Sequence, residues 1–274
     1  MNGLGRRLAG SPDSPAVLFL HGFMGSSADW KDAVAALGDR AFCIAPDLPG
    51  HGTSLGLTSE AYTIEGSARA AIQVLDELEV ENPVIAGYSM GGRLALYLAL
   101  RYPRRCAGLF LESASPGLES EEERTARRAA DEEKAKRLEV GDFDAFLRDW
   151  YRQPLFASLA QDEELLERTI AARRRNDPVE LALSLRGMGT GSQPSLWGEL
   201  EDFAVPAVVV SGGLDDKYAE ISSRMARIDP MVEPVVIPGV GHDVHDEAPA
   251  EYVALLGRFL NRLSLALGET RRKW

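Results

Sequence analysis

The chain has 274 residues, 45% of them hydrophobic, enough for one large domain or for one domain carrying a substantial insertion. Its formal net charge of −12 excludes nucleic acid and anionic membrane as main partners, because both would repel such a surface. Any positive charge that binds an anion must therefore be gathered locally.

Arg6 and Arg7 precede "AVLFL" at 16–20, a run too short for a signal-peptide core that leads straight into the polar "HGF" turn. No stretch approaches the length of a membrane span. The two cysteines, Cys43 and Cys106, sit in or beside apolar strand-like runs and read as small core residues rather than as a disulfide or a metal site. A soluble, cytoplasmic protein without membrane insertion is expected; its oligomeric state is left open.

Short β-rich runs at 16–20, 41–47, 83–89 and 107–113 alternate with helical patterns at 61–79 and 90–101. Such near-continuous apolar strands require a sheet covered on both faces, and the alternation predicts parallel strands with crossover helices. The rhythm stops after Ser115. From 116 to 200 the sequence is helical and heavily charged, which predicts an insertion placed over the sheet's edge. Ser120 and Glu123 have capping-box spacing, and the segment to about Glu139 consists mostly of good helix formers with a thin apolar stripe. Phe143, Phe146, Leu147, Trp150 and Tyr151 then share one helical face, which must bury itself against the main domain or a ligand cavity. "LRGMGTGSQPSLW" at 185–197 follows neither helix nor strand pattern. Strands resume at 207–213 and 233–239, with a last helix at 248–265. The expected domains are a core of 1–115 and 201–274 and a helical lid of 116–200.

Gly87-Tyr88-Ser89-Met90-Gly91 lies between a predicted strand and a predicted helix. The glycines leave room for a sharp turn that projects the Ser89 hydroxyl, while the following N–H groups face an incoming oxyanion. A serine hydroxyl needs an imidazole held by a carboxylate. Of four histidines, His242 in "GVGHD" follows the last strand and is the chosen base; His245 is expected to brace that loop, and His21 and His51 to bond backbone in turns. "SGGLDDKY" supplies the acid, Asp215 in preference to Asp216. "LHGF" adds a second oxyanion donor, so the Phe23 and Met90 amides are paired in that role.

On these residues the chain resembles the α/β-hydrolases from 16 to 265. The resemblance implies a mostly parallel central sheet flanked by helices, with a helical lid inserted. It does not choose a reaction. Arg93, four residues after Ser89, shares a helix face with the start of the elbow helix. A guanidinium buried there is costly unless it meets a carboxylate of the protein or of a substrate.

Taken together, "LHGF.G", "DLPGHG.S", "GYSMGGR", "SPGL…EEER", "DWY.QP.F", the 185–197 segment and "GHD.H.E.P" resemble the menaquinone-pathway 2-succinyl-6-hydroxy-2,4-cyclohexadiene-1-carboxylate synthases over almost the whole chain. That resemblance implies a lyase that eliminates pyruvate from a small-molecule polycarboxylate, in menaquinone or phylloquinone synthesis, with Ser89 as the proton-abstracting group. It makes Arg93 a substrate-carboxylate clamp. It places further clamps at Arg127 or its neighbour Arg128 and at Arg173 or its neighbour Arg174, with Trp150 as a pocket wall and Tyr88 and Gln193 in the pocket. No metal-ligand cluster and no dinucleotide fingerprint is found, so no cofactor and no metal are expected. An esterase or C–C bond hydrolase acting on a carboxylated small molecule would carry the same triad. A catalytically silent binding protein ranks last, because no triad member is missing.

Overall fold

The computed structural model describes residues 3–271, and their side chains except at 202 and 265–271. The elements run in chain order from strand β1 (Arg6–Ala9) and β2 (Ala16–Leu20) through helix α1 (Lys31–Leu37), β3 (Phe42–Pro46) and α2 (Ile64–Glu77). They continue with β4 (Val84–Tyr88), α3 (Met90–Arg101) and β5 (Gly108–Glu112). Four helices follow before the sheet resumes: α4 (Glu121–Val140), α5 (Phe143–Tyr151), α6 (Glu163–Arg173) and α7 (Pro178–Met188). The chain closes with β6 (Ala207–Gly212), α8 (Asp216–Ile228), β7 (Val232–Ile237), α9 (Val244–Glu247) and α10 (Pro249–Arg271).

The seven strands are ordered β1-β3-β2-β4-β5-β6-β7, all neighbours parallel except β1 with β3. Strands buried on both faces split their side chains by alternation. Leu18 and Leu20 of β2 pack with α2 and α3 on one side, Val17 and Phe19 with Trp30, α1 and α10 on the other. The chain leaves β2 toward β3 and returns to β4 on β2's other flank. The loops after β2 and β4 therefore meet at a switch point over the carboxyl ends of the strands.

Three elements depart from the sequence expectation. β1 is a four-residue antiparallel edge carrying Arg6 and Arg7; charged edges of this length give no periodic signal. α1 and α8 also went unanticipated, being short or strongly polar between two turns. Residues 185–188, expected as irregular, are the last turn of α7, and the loop begins at Gly189.

Helices α4–α7 lie between β5 and β6 in sequence and build a satellite core of Leu138, Phe146, Leu147, Tyr151, Ile170 and Leu181 with Met24 of the β2 loop. α4 starts at the predicted capping box, Ser120 with Glu123, and buries little besides Asp131, Ala135 and Leu138, as its thin stripe requires. Asn176 ties this block to the sheet domain: its Nδ2 donates to the Met24 carbonyl at 2.7 Å, and its Oδ1 accepts from the Gly52 N–H at 3.0 Å. The Tyr62 hydroxyl adds a bond to Glu180.

Candidate active site

Ser89 begins α3 with φ of +48°, in a region that L side chains rarely adopt. The turn fits because glycines stand where nothing larger could: a Cβ at Gly91 would lie 2.0 Å from the Leu20 carbonyl oxygen. The strain aims Oγ over the sheet's carboxyl edge. His242 Nε2 lies 3.2 Å from Ser89 Oγ, and its Nδ1 lies 2.6 Å from Asp215 Oδ2. The second Asp215 oxygen accepts the Tyr218 N–H at 3.3 Å and so caps α8, fixing the carboxylate on a rigid element. Asp216 is exposed and turned away.

Neither the Phe23 nor the Met90 N–H donates a hydrogen bond among the described residues, which leaves both amides free beside Ser89. Three histidines take structural places. His245 sits between Glu112 and Asp243, stacked on Trp30. Burial works against its charge, yet Glu112 and Asp243 outweigh it and hold its pKa well above the ordinary value. These three groups converge closely enough to suggest metal ligands, but the single imidazolium already meets both carboxyl groups, and burial pushes that of Asp243 well above its ordinary range. His21 bonds the Gly22 carbonyl and the Leu48 N–H, and His51 the Pro49 carbonyl.

A cavity of about 220 Å³ opens above Ser89, walled by Phe23, Tyr88, Trp150, Tyr151, Phe156 and Met188. Five cations border it: Arg93, Arg127, Lys134, Arg173 and Lys217. Arg93 is buried, and its Nη1 donates to Gln193 Oε1 at 2.9 Å. It has no carboxylate partner among the described residues, and burial pulls its pKa down to about 10, so it stays charged at neutral pH.

Arg127 and Lys134 share Asp131, at 2.8 and 3.5 Å. Arg173 is held by Asp29 at 2.6 Å and donates to the Tyr151 hydroxyl at 3.1 Å, so its charge is already met within the protein. The adjacent arginines turn elsewhere: Arg128 to Glu121 and the Gly191 carbonyl, Arg174 to Asp144. Gln193 does not border the cavity; it reaches the site through Arg93, and its Nε2 is buried without a partner.

Lys134, Lys217, Tyr151 and Tyr218 are site residues that sequence reasoning missed. Lys134 had a signal, standing seven residues after Arg127 on one helix face. Tyr218 had one too, at the position an Asp215 cap would bond. Lys217 had none.

The α/β-hydrolase family pattern matches residues 17–255. A 2-succinyl-6-hydroxy-2,4-cyclohexadiene-1-carboxylate synthase of Enterobacter sp. (strain 638) is 33% identical over 256 residues, 93% of this chain and 95% of its own. The chain belongs to this synthase family. A Bacillus subtilis (strain 168) relative, provisionally given the same synthase name, is 36% identical over 91% of this chain and 92% of its own. The structure of MenH from S. aureus superposes with a TM-score of 0.90 at 30% identity, covering 96% of this chain and all of that one. Synthase membership thus extends through α4–α7 and not only through the shared hydrolase sheet. No helix among the described residues is long and apolar enough to cross a membrane.

Proposed function

We propose that this synthase-family chain eliminates pyruvate from 2-succinyl-5-enolpyruvyl-6-hydroxy-3-cyclohexene-1-carboxylate to give the cyclohexadiene product, with Ser89, His242 and Asp215 moving the proton. The observation that carries this reading is Arg93, a buried guanidinium one helical turn from Ser89 whose protein partner is a neutral amide. Such a group is stable in a low-dielectric wall when a ligand brings the missing carboxylate. The other cations extend the match. Asp131 cancels one of the five and Asp29 another, which leaves three positive charges uncancelled by ion pairs for a substrate with three carboxylates.

In this mechanism His242 Nε2 takes the Ser89 proton, and the serine oxygen removes the ring proton α to the succinyl ketone. The ketone oxygen gains charge against the Phe23 and Met90 amides. The electron pair moves through the ring double bond and expels the enolpyruvyl oxygen. The proton taken from the ring is returned, and the released enol becomes pyruvate. Arg93 and the cluster of Arg127 with Lys134 bind substrate carboxylates; Arg173, fixed by Asp29 and Tyr151, braces the cavity wall. Residues 116–200 serve as the lid, over a core of 1–115 and 201–274 whose first two and last three residues lie outside the described ones. The two buried free thiols suit a reducing cytoplasm.

The test follows two signals at once, absorbance of the new conjugated diene and release of pyruvate, on adding the enolpyruvyl substrate to purified protein. Both rising in equal amounts is the expected result. Absence of both, with burst hydrolysis of activated esters, would replace the lyase by a serine hydrolase.

A further inference from the structure

Two adjacent residues at the end of β5 reach both halves of the reacting pair. The Glu112 carbonyl accepts the Ser89 N–H at 2.9 Å, and Ser113 Oγ donates to the His242 carbonyl at 2.8 Å. The Glu112 carboxylate, wholly buried, accepts the His245 backbone N–H and its ring Nδ1–H, each at 3.0 Å. The Ser113 N–H in turn donates to the Val210 carbonyl at 2.9 Å, anchoring the dipeptide to β6. The serine's turn and the histidine's loop thus hang from one point in the sheet.

Ser113 occupies that point at a cost. Its φ is +46°, where glycine would sit without strain. What serine supplies and glycine lacks is the hydroxyl on His242. The Ser89–His242 contact, at 3.2 Å, is already at the long end of a hydrogen bond, and such bonds weaken steeply with further separation.

We infer that Glu112–Ser113 is a positioning element that sets the separation of Ser89 and His242, with Ser113 holding the histidine in reach. It acts through the Ser89 amide and the His242 carbonyl and touches neither substrate nor reacting atoms. The inference rests on the proposed Ser89–His242–Asp215 triad and not on the identity of the substrate.

Ser113→Gly tests it, because glycine removes the tether while relieving the backbone strain. The expected result is unchanged or raised Tm, unchanged KM, and kcat lower by about tenfold or more. The rate at which a fluorophosphonate labels Ser89 falls by a similar factor. Labelling reports on the triad whatever the natural substrate is. A wild-type protein that is labelled but releases no pyruvate would sink the lyase reading alone. Equal labelling rate and equal kcat in wild type and Ser113→Gly would overturn the positioning role. So would a fall in kcat that merely follows loss of folded protein by near-ultraviolet circular dichroism. Ser113→Ala gives the same kinetic loss with a lower Tm, because the strain stays and the bond goes.

Discussion

Arg93 and Gln193 meet across 100 residues of sequence, guanidinium Nη1 to amide oxygen at 2.9 Å, in a buried wall of the cavity. The partner is neutral, so the arginine is aimed without being discharged. Arg93→Met is expected to lower kcat/KM at least tenfold, roughly 1.4 kcal/mol of lost transition-state binding. Gln193→Glu is the sharper variant, since it offers Arg93 a permanent carboxylate. It should keep the fold and raise KM at least tenfold in steady-state pyruvate release. Unchanged KM in Gln193→Glu would show that the guanidinium does not face the ligand.

Ser89→Ala should abolish turnover while leaving the melting transition in place, because Oγ points into the cavity and makes no packing contact the fold depends on. A residual rate within tenfold of wild type, by the pyruvate assay, would remove serine from the mechanism.

Asp29→Asn leaves the buried Arg173 without its counter-charge. Breaking such a pair from one side typically costs about 3–5 kcal/mol. Urea unfolding should show the midpoint drop with an unchanged slope. A loss below about 1 kcal/mol would mean that Arg173 is better solvated than its burial implies.

His21 and His51 pack edge to face at 4.9 Å, and burial first of all pushes both pKa values below the ordinary 6.5, that of His51 well below it. The unfolded chain then binds more protons than the native state as the pH drops under 6.5. Stability is full above that value and is lost as pH falls toward the lowered native values. His51→Gln should flatten the acid side of a Tm-against-pH curve. An equally steep curve in the variant would place the acid sensitivity elsewhere.

Lys217 has no ion-pair partner among the described residues, and Lys134 shares Asp131 with Arg127. Lys134→Met and Lys217→Met should each raise KM several-fold at low salt with kcat nearly unchanged, and the difference should shrink as salt screens the charge. Lys136→Met serves as the control, because Lys136 lies on the exposed face of α4 against Glu133. Equal effects at Lys136 and Lys217 would reduce the role of the lysines to overall charge.

What the sequence made legible follows the range of the interactions. The elbow, the two loops carrying Asp215 and His242, and the Phe23 and Met90 amides are set by short motifs at strand ends, and strand order brings them together. Near-continuous apolar runs exposed β2 to β7, whereas β1, with two arginines in four residues, has no pattern to expose. The choice of Arg127 over Arg128 needed the helix phase of α4, which its thin stripe left undefined. The pairing of Arg173 with Asp29 spans 144 residues, and the tether from Ser113 to His242 spans 129; no local spacing announces either.

Asn176 fastens α6 and α7 to the loops after β2 and β3, whereas Lys134 of α4 and Lys217 of α8 line the cavity from elements it does not tie. On the proposed reading, a polyanion meets two ammonium groups on flexible stems, Lys134 and Lys217, and one guanidinium, Arg93, aimed by Gln193. Capture and alignment on that reading belong to separate residues, so that the speed of the first could be tuned by evolution without blurring the geometry of the second.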